Sequence, residues 1–338
     1  MIHAGHEGHE EEAEEGGVLL LSCYELGHQP LSLAWPLALL QEAGIEASAV
    51  DLAVEPFAAY IARHARFAAI AVPMHTAMRI GVDAARRVRK SNPGAFVAFY
   101  GLYAWLNRQY LLGDEGLADA VIAGEYETAL VELARAVLSG QDLADVRGVT
   151  LRGRPAEPQL VRLALPMPAR DWLPPLENYA YYVDSTGAVP SGYVEASRGC
   201  LHTCRHCPVV PVYHGRFFVV GAETVLADIR QQVAAGAEHI TFGDPDFLNG
   251  PGHARAIAEQ LHTEFPDLSF DFTTKVEHIL EHRELVTELA RTGATFVVSA
   301  FEAASDAVLA KLNKGHTVAD MDAALAVLRE AGLQPQPT

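Results

Sequence analysis

Three of the four cysteines fall within eight residues, in the run Cys200-Leu-His-Thr-Cys204-Arg-His-Cys207. Three thiolates at this C-x3-C-x2-C spacing, on one tight loop, can hold three irons of a [4Fe–4S] cubane. The fourth iron is then left open to a small molecule. Zinc is the second chemistry open to these residues. A structural zinc site wants four closed ligands, and His202 or His206, inside the loop, could supply the fourth. A disulfide framework would instead spread cysteines over a small secreted domain. Here the remaining one, Cys23, lies far from the cluster in a long chain.

The elements that must position this loop form a second half of α/β alternation. Strands are predicted at residues 193–197, 239–242, 269–273 and 296–300, with helices near 223–235, 252–265, 283–292 and 321–331. Four βα units of about 30 residues each look like part of a (βα) barrel. A fifth strand is due at residues 334–338, where the given sequence stops, so the barrel is expected to be incomplete.

Upstream, short apolar runs at 18–22 (VLLLS), 47–52, 67–73 (FAAIAVP), 95–100 and 119–123 alternate with helical segments. Five such strands predict an open doubly wound sheet, which binds ligands at the carboxyl ends of its strands. Residues 23–30, 73–76, 101–103 and 124–127 would then surround one crevice. Residues 141–190 are rich in proline and read as a linker with one small strand at 149–152. The acidic, histidine-rich residues 1–17 cannot bury a core and read as a disordered tail. In it, His3, His6 and His9 are either weak metal ligands or plain solvated residues. The expected fold class is therefore α/β: tail 1–17, doubly wound domain 18–140, linker 141–190 and incomplete barrel 191–338.

Composition narrows the function. Half of the 338 residues are hydrophobic and a fifth are charged, which is a globular balance. The formal net charge of −18 disfavours nucleic acid as a partner. No apolar run approaches the roughly 18 residues of a membrane helix, and the acidic N-terminus is unlike a secretory leader. A soluble, cytoplasmic protein is expected.

The cysteine triplet resembles the radical S-adenosylmethionine (SAM) superfamily, which carries C-x3-C-x-aromatic-C after the first barrel strand. The resemblance implies that the open iron binds SAM, and that an electron from the cluster releases a 5′-deoxyadenosyl radical. It puts His206 at the position of the aromatic residue that packs on adenine. Asp246, in ITFGDPDF (240–247), falls at the Glu of the family's Gly-Gly-Glu motif. A carboxylate there would accept from the cofactor's cationic amino group; the plainer reading is a helix cap. Lys275 would face the cofactor carboxylate, or else solvent. Glu302 and Ser305 resemble the segment that meets the ribose, and Gly315 is expected to set a turn.

The first domain resembles the cobalamin-binding domain of class B radical enzymes, with Asp51 and GEYE (124–127) fitting the pattern. On that resemblance His28, His75, Gly101, Gly124 and Glu125 are the candidate cobalamin contacts. The D-x-H-x-x-G motif that supplies a histidine to cobalt does not occur, which fits either cobalamin bound without protein histidine or a domain that has lost it. The strings SCYELGHQPL, VPMHTAMRIG and VEASRGCLHTCRHCPVVPVYHGRFFVV further resemble the radical proteins named for a CUAEP or CCAEP tail. The implied activity is radical modification of a small molecule or peptide, including methylation of an unactivated carbon through cobalamin. The implied electron donor is flavodoxin or ferredoxin. An RNA methylthiotransferase shares the triplet but would bring three more N-terminal cysteines. The non-enzyme alternative is a zinc- or cluster-binding regulatory protein.

Overall fold

The computed structural model describes residues 17–338 apart from Asp114, Thr186 and the side chain of Asp145. The tail with His3, His6 and His9 thus lies outside the described residues, but for Gly17.

The first sheet contains β1 (Val18–Ser22), β2 (Ala47–Asp51), β3 (Phe67–Ala71), β4 (Phe96–Tyr100), β5 (Ala120–Ile122) and β6 (Val149–Leu151), in the order β2-β1-β3-β4-β5-β6. The first five strands run parallel and β6 is antiparallel. Alternate residues feed two apolar layers. Leu19, Leu21, Ile70, Val97 and Phe99 pack on one face, and Leu20, Ala69, Ala98 and Tyr100 on the other. Burial on both faces explains why these strands read as continuous apolar runs. The order reverses between β1 and β3, and a crevice at the carboxyl ends is expected at that point.

The second sheet contains β7 (Tyr181–Asp184), β8 (Gly187–Val194), β11 (His239–Phe242), β12 (Ser269–Thr273), β13 (Ala294–Ser299) and β14 (Gln334–Pro337), in the order β14-β13-β12-β11-β8-β7. Between β8 and β11 lies a small hairpin of β9 (Ser197–Gly199) with β10 (Phe217–Val219). Strands β8, β11, β12, β13 and β14 are all parallel. The sheet is a curled half-barrel. Ile240, Phe242, Phe270, Phe272 and Val297 face the surrounding helices and form the largest core. The other face carries polar groups, including His239, Thr241 and Asp271, which hydrogen-bond to one another.

The segment expected to be a linker is structured at both ends. Its small strand, β6, closes the edge of the first sheet, and β7 pairs with β8 in the second. Between them Gln159 forms a parallel bridge to Gly124, and Arg170 makes a paired contact with Asp228 at 2.6 and 2.8 Å while donating to Gln29. Proline disrupts periodicity without preventing order: Pro175, with φ −55 and ψ 148, leads into a short turn where no ladder N–H is needed.

Candidate functional site

The cysteine loop begins where β9 ends. Its turns are closed by Cys200 N–H donating to Arg216 O (3.0 Å) and Cys207 N–H to Cys204 O (3.2 Å). Arg205 N–H donates to Leu312 O (2.9 Å), which ties the loop to the helix Asp306–Leu312 across the mouth of the half-barrel. All three thiols are free, with Cys204 buried and Cys200 and Cys207 half-buried. Burial raises the pKa of Cys200 and of Cys207 above that of an ordinary thiol.

The residues at the carboxyl ends of the next three strands converge on this loop, as expected for a site at that end of a barrel. After β11, Asp246 is fully buried. Its Oδ1 accepts from Thr274 Oγ1 (2.7 Å) and Leu248 N–H (3.2 Å). Its Oδ2 has no hydrogen bond, though His278 Nδ1 stands 2.9 Å away and His202 Nε2 3.6 Å away. The His278 contact is an ion-pair distance without hydrogen-bond alignment. The cap reading of Asp246 is also realised, since Leu248 belongs to the short turn that follows it.

After β12, Lys275 is nearly buried and forms an ion pair with Glu277 rather than facing solvent. Glu277 in turn occupies the space beside Gly315. That glycine has φ +80, and a Cβ on it would collide with the Glu277 carboxylate, so the turn expected there is also a close packing point. After β13, Glu302 sits at φ +62, a conformation rare for a residue with a side chain. Its Oε1 meets His206 Nε2 at 2.9 Å and Lys314 Nζ at 3.3 Å. Ser305 precedes the helix Asp306–Leu312 and makes no side-chain capping bond.

The two histidines of the loop therefore have carboxylate neighbours of their own: Asp246 for His202 and Glu302 for His206. Sequence reasoning missed His278, Thr274 and Asn249. Asn249 Oδ1 accepts from Leu201 N–H and lies 3.9 Å from the Cys200 sulfur, while its buried Nδ2 has no partner. His278 and Asn249 lie in the short helical segments that follow the strands, beyond the residues a strand-based scan looks at, and Thr274, next after β12, carries no charge to draw notice. Unpartnered buried polar atoms of Asn249 and Asp246 stand beside the cysteine loop. Such a donor set suits a thiolate-held cluster and a polar, charged ligand next to it.

Residues 194–336 match the family model described as Radical SAM superfamily. The chain carries a radical SAM domain. Over 316 residues the chain is 24% identical to the uncharacterized methyltransferase PH0819 of Pyrococcus horikoshii, covering 90% of this chain and 67% of that one. Its fold is similar to the radical SAM methyltransferase TsrM of Kitasatospora setae, solved with cobalamin and a [4Fe–4S] cluster. The TM-score is 0.74 at 17% identity, over 96% of this chain and 66% of TsrM. It is also similar to the cobalamin-dependent radical SAM enzyme OxsB, solved with aqua-cobalamin, with a TM-score of 0.74 at 16% identity over 96% of this chain and 49% of OxsB. The chain thus spans only half to two thirds of the length of these solved relatives.

The radical SAM domain meets the first sheet at a cavity of about 170 Å³, lined by Glu25, Val72, Pro73, Gly101, Gly124 and Tyr126 from one side and by Glu195, Arg198, Tyr213, Gly243 and Pro245 from the other. Of the five residues expected to surround a cobalamin crevice, only Gly101 and Gly124 line this cavity. Gly124 has φ +75, and a Cβ on it would collide with Gln159 O. The chain's own backbone therefore accounts for that glycine. Glu125 accepts from Tyr213 Oη (2.9 Å) and Arg198 Nη1 (3.2 Å). His28 leaves the crevice altogether: its ring stacks on Tyr193 of β8 with centroids 4.8 Å apart, and burial lowers its pKa to about 4. His75 stands exposed at the start of the helix His75–Ser91, beside Tyr103. The sequence places both histidines at strand ends, but the folded chain sends them to different surroundings. The volume of this cavity falls below the roughly 300 Å³ at which drug-sized ligand pockets begin.

Among the described residues, no helix is long and apolar enough to cross a membrane.

Proposed function

We propose that the protein is a radical SAM enzyme whose cluster is held by Cys200, Cys204 and Cys207. The observation that carries this is the convergence of three free thiols with a fully buried, half-satisfied carboxylate, Asp246, at the carboxyl end of a half-barrel. A [4Fe–4S] cluster there would supply the electron that splits the sulfonium of SAM.

The chain's own residues bind and orient. Asp246 Oδ2 offers an acceptor for the SAM amino group, and Thr274 and Leu248 fix the carboxylate plane. His206, held by Glu302, would offer its flat face to adenine, and Glu302 and Ser305 are the candidate ribose contacts. Lys275, paired with Glu277, is placed to meet the SAM carboxylate once that pair opens. Flavodoxin or ferredoxin is the class of donor that would deliver the electron.

The likeness to PH0819, TsrM and OxsB favours a cobalamin-dependent methyltransferase acting on an unactivated carbon of a small molecule or peptide. In this reading the cavity between the sheets is a closed form that must widen to admit cobalamin. The finer assignment is to the group named for its CUAEP or CCAEP tail. It is supported by SCYELGHQPL and the strings around the triplet.

Anaerobic reconstitution with iron and sulfide tests the proposal. A broad absorbance at roughly 400 nm, typical of cubane clusters, together with 5′-deoxyadenosine release under reductant, supports it. A colourless protein holding one zinc and inert to SAM overturns it. Cobalamin that co-purifies when supplied supports the methyltransferase reading, and a protein that never retains it removes that reading alone.

A further inference from the structure

We propose that the exposed cations Arg205, Arg216 and Lys311 form a docking surface for a small acidic electron-carrier protein. This role presupposes the proposed function, in which the thiols hold a cluster that an outside donor must reduce.

Charge singles out this face. The chain has 43 acidic and 25 basic residues, yet residues 196–222 contain no aspartate or glutamate, and neither do residues 307–319. The fold brings the two runs together around the cysteine loop. Cys200 N–H donates to Arg216 O (3.0 Å), Arg205 N–H to Leu312 O (2.9 Å) and Asn313 Nδ2 to Thr203 O (3.2 Å). Gly215 also lies against the loop, since a Cβ there would stand 3.4 Å from Leu201 O. Arg205, Arg216 and Lys311 are exposed on these knitted segments and make no ion pair among the described residues. The other arginine and lysine of the two runs are neutralised internally, Arg198 by three glutamates and Lys314 by Glu302. Exposed arginines elsewhere, such as Arg86, Arg230 and Arg255, have carboxylate partners.

The partner follows from these charges. A chain of net charge −18 repels an acidic protein at long range. Salt screens that field beyond about 10 Å at 0.1 M, so contact is decided by local, unpaired cations. Leu201, on the same loop as Arg205, is 48% exposed and supplies apolar area. Transient electron-transfer encounters bury less than about 1,200 Å² in all, which suits a patch this small. Three cations are few for nucleic acid, where about 6–10 phosphate contacts are usual. Cys200 and Cys207 are half-buried on this loop, so a seated carrier comes close to what the thiols hold. The carrier is oxidised by one electron and the group on the thiols is reduced by one.

The test is isothermal titration of the full-length protein with purified flavodoxin. Arg205→Gln/Arg216→Gln/Lys311→Gln should bind at least about tenfold more weakly than wild type at about 50 mM salt, and the difference should shrink at about 500 mM. Arg79→Gln/Arg86→Gln/Lys90→Gln makes the same charge change on the exposed face of the helix His75–Ser91 and should bind like wild type. Circular dichroism checks that each protein is folded. Wild type that binds no better than the first variant, or equal losses in both variants, would overturn the surface. So would a single-stranded oligonucleotide that binds wild type and displaces flavodoxin, since the face would then serve nucleic acid. The titration needs no cluster, so its failure is distinct from failed reconstitution, which would remove the proposed function instead.

Discussion

His206 Nε2 lies 2.9 Å from Glu302 Oε1, joining the cysteine loop to the segment after β13. The pair bridges residues 96 positions apart, and Glu302 holds a left-handed backbone conformation to make it. If the ring is there to seat adenine, shape should matter more than charge. His206→Phe should keep SAM affinity within about threefold, whereas His206→Ala should weaken it by about tenfold, or about 1.4 kcal/mol. Iron content should stay unchanged in both. Isothermal titration with SAM on reconstituted protein checks this, and equal affinity in all three proteins would refute an adenine role.

Arg198 ties the two sheets together. Its guanidinium meets Glu125, Glu127 and Glu195 and lies 4.5 Å from the Trp35 ring centre. Glu125 and Glu127 belong to the first sheet's side and are almost wholly buried. Arg198→Ala would strand these carboxylates without a counter-charge, at a cost of about 3–5 kcal/mol. The variant should unfold at clearly lower denaturant than wild type. A triple variant that also carries Glu125→Gln and Glu127→Gln should recover part of the loss. Chemical denaturation of the three proteins tests the coupling.

Glu25 lines the inter-sheet cavity and accepts from Ser32 N–H at 3.3 Å. Although it is only half-buried by surface, burial among protein atoms pushes its pKa up to about 7 from 4.5. A carboxyl whose folded pKa is raised binds its proton more tightly in the native state. Its stabilising effect is complete below pH 4.5 and is lost as pH rises through about 7. Wild type should therefore lose stability relative to Glu25→Gln across that window, by on the order of 2 kcal/mol. Thermal unfolding of both proteins at several pH values tests the sign. A gap that closes as pH rises would contradict it.

Much of this was legible in the sequence, for physical reasons. Strand β1 reads VLLLS because both of its faces are covered, and parallel strands of that kind announce themselves. The cysteine loop was legible because spacing alone constrains thiolate chemistry. Asp246, Glu302 and Lys275 follow strands that are easily located, so they too came into view. His278 did not, because it lies three residues beyond Lys275 on a helical turn and its role depends on two distant partners, His202 and Asp246. Gly124 and His28 were assigned to a ligand, but the contacts they make are within the chain. Gly124 yields to Gln159 and His28 stacks on Tyr193, and both partners come from segments far away in sequence. Likewise the proline-rich run from 141 to 190 showed only weak periodicity, so beyond the small strand at 149–152 the pairing of β6 and β7 with opposite sheets could not be read from it.

Asp246 bears on binding at the rim of the site. Asp246→Asn keeps an acceptor for Thr274 and the volume of the side chain, while removing the charge at Oδ2. SAM affinity should fall by ten- to a hundredfold, about 1.4–2.7 kcal/mol, as for a charge-assisted hydrogen bond. The cluster should still assemble. Parallel measurements of iron content and SAM binding separate the two effects, and unaltered SAM affinity would remove Asp246 from the binding site.

The central claim is that Cys200, Cys204 and Cys207 hold a cluster with one iron open to SAM. Electron paramagnetic resonance of the anaerobically reduced protein, recorded with and without SAM, tests it most directly. The account predicts the signal of a reduced [4Fe–4S] cluster whose g values shift when SAM is added, and the loss of that signal in Cys204→Ala. A spectrum that SAM leaves unchanged, or a signal that survives in Cys204→Ala, would contradict it.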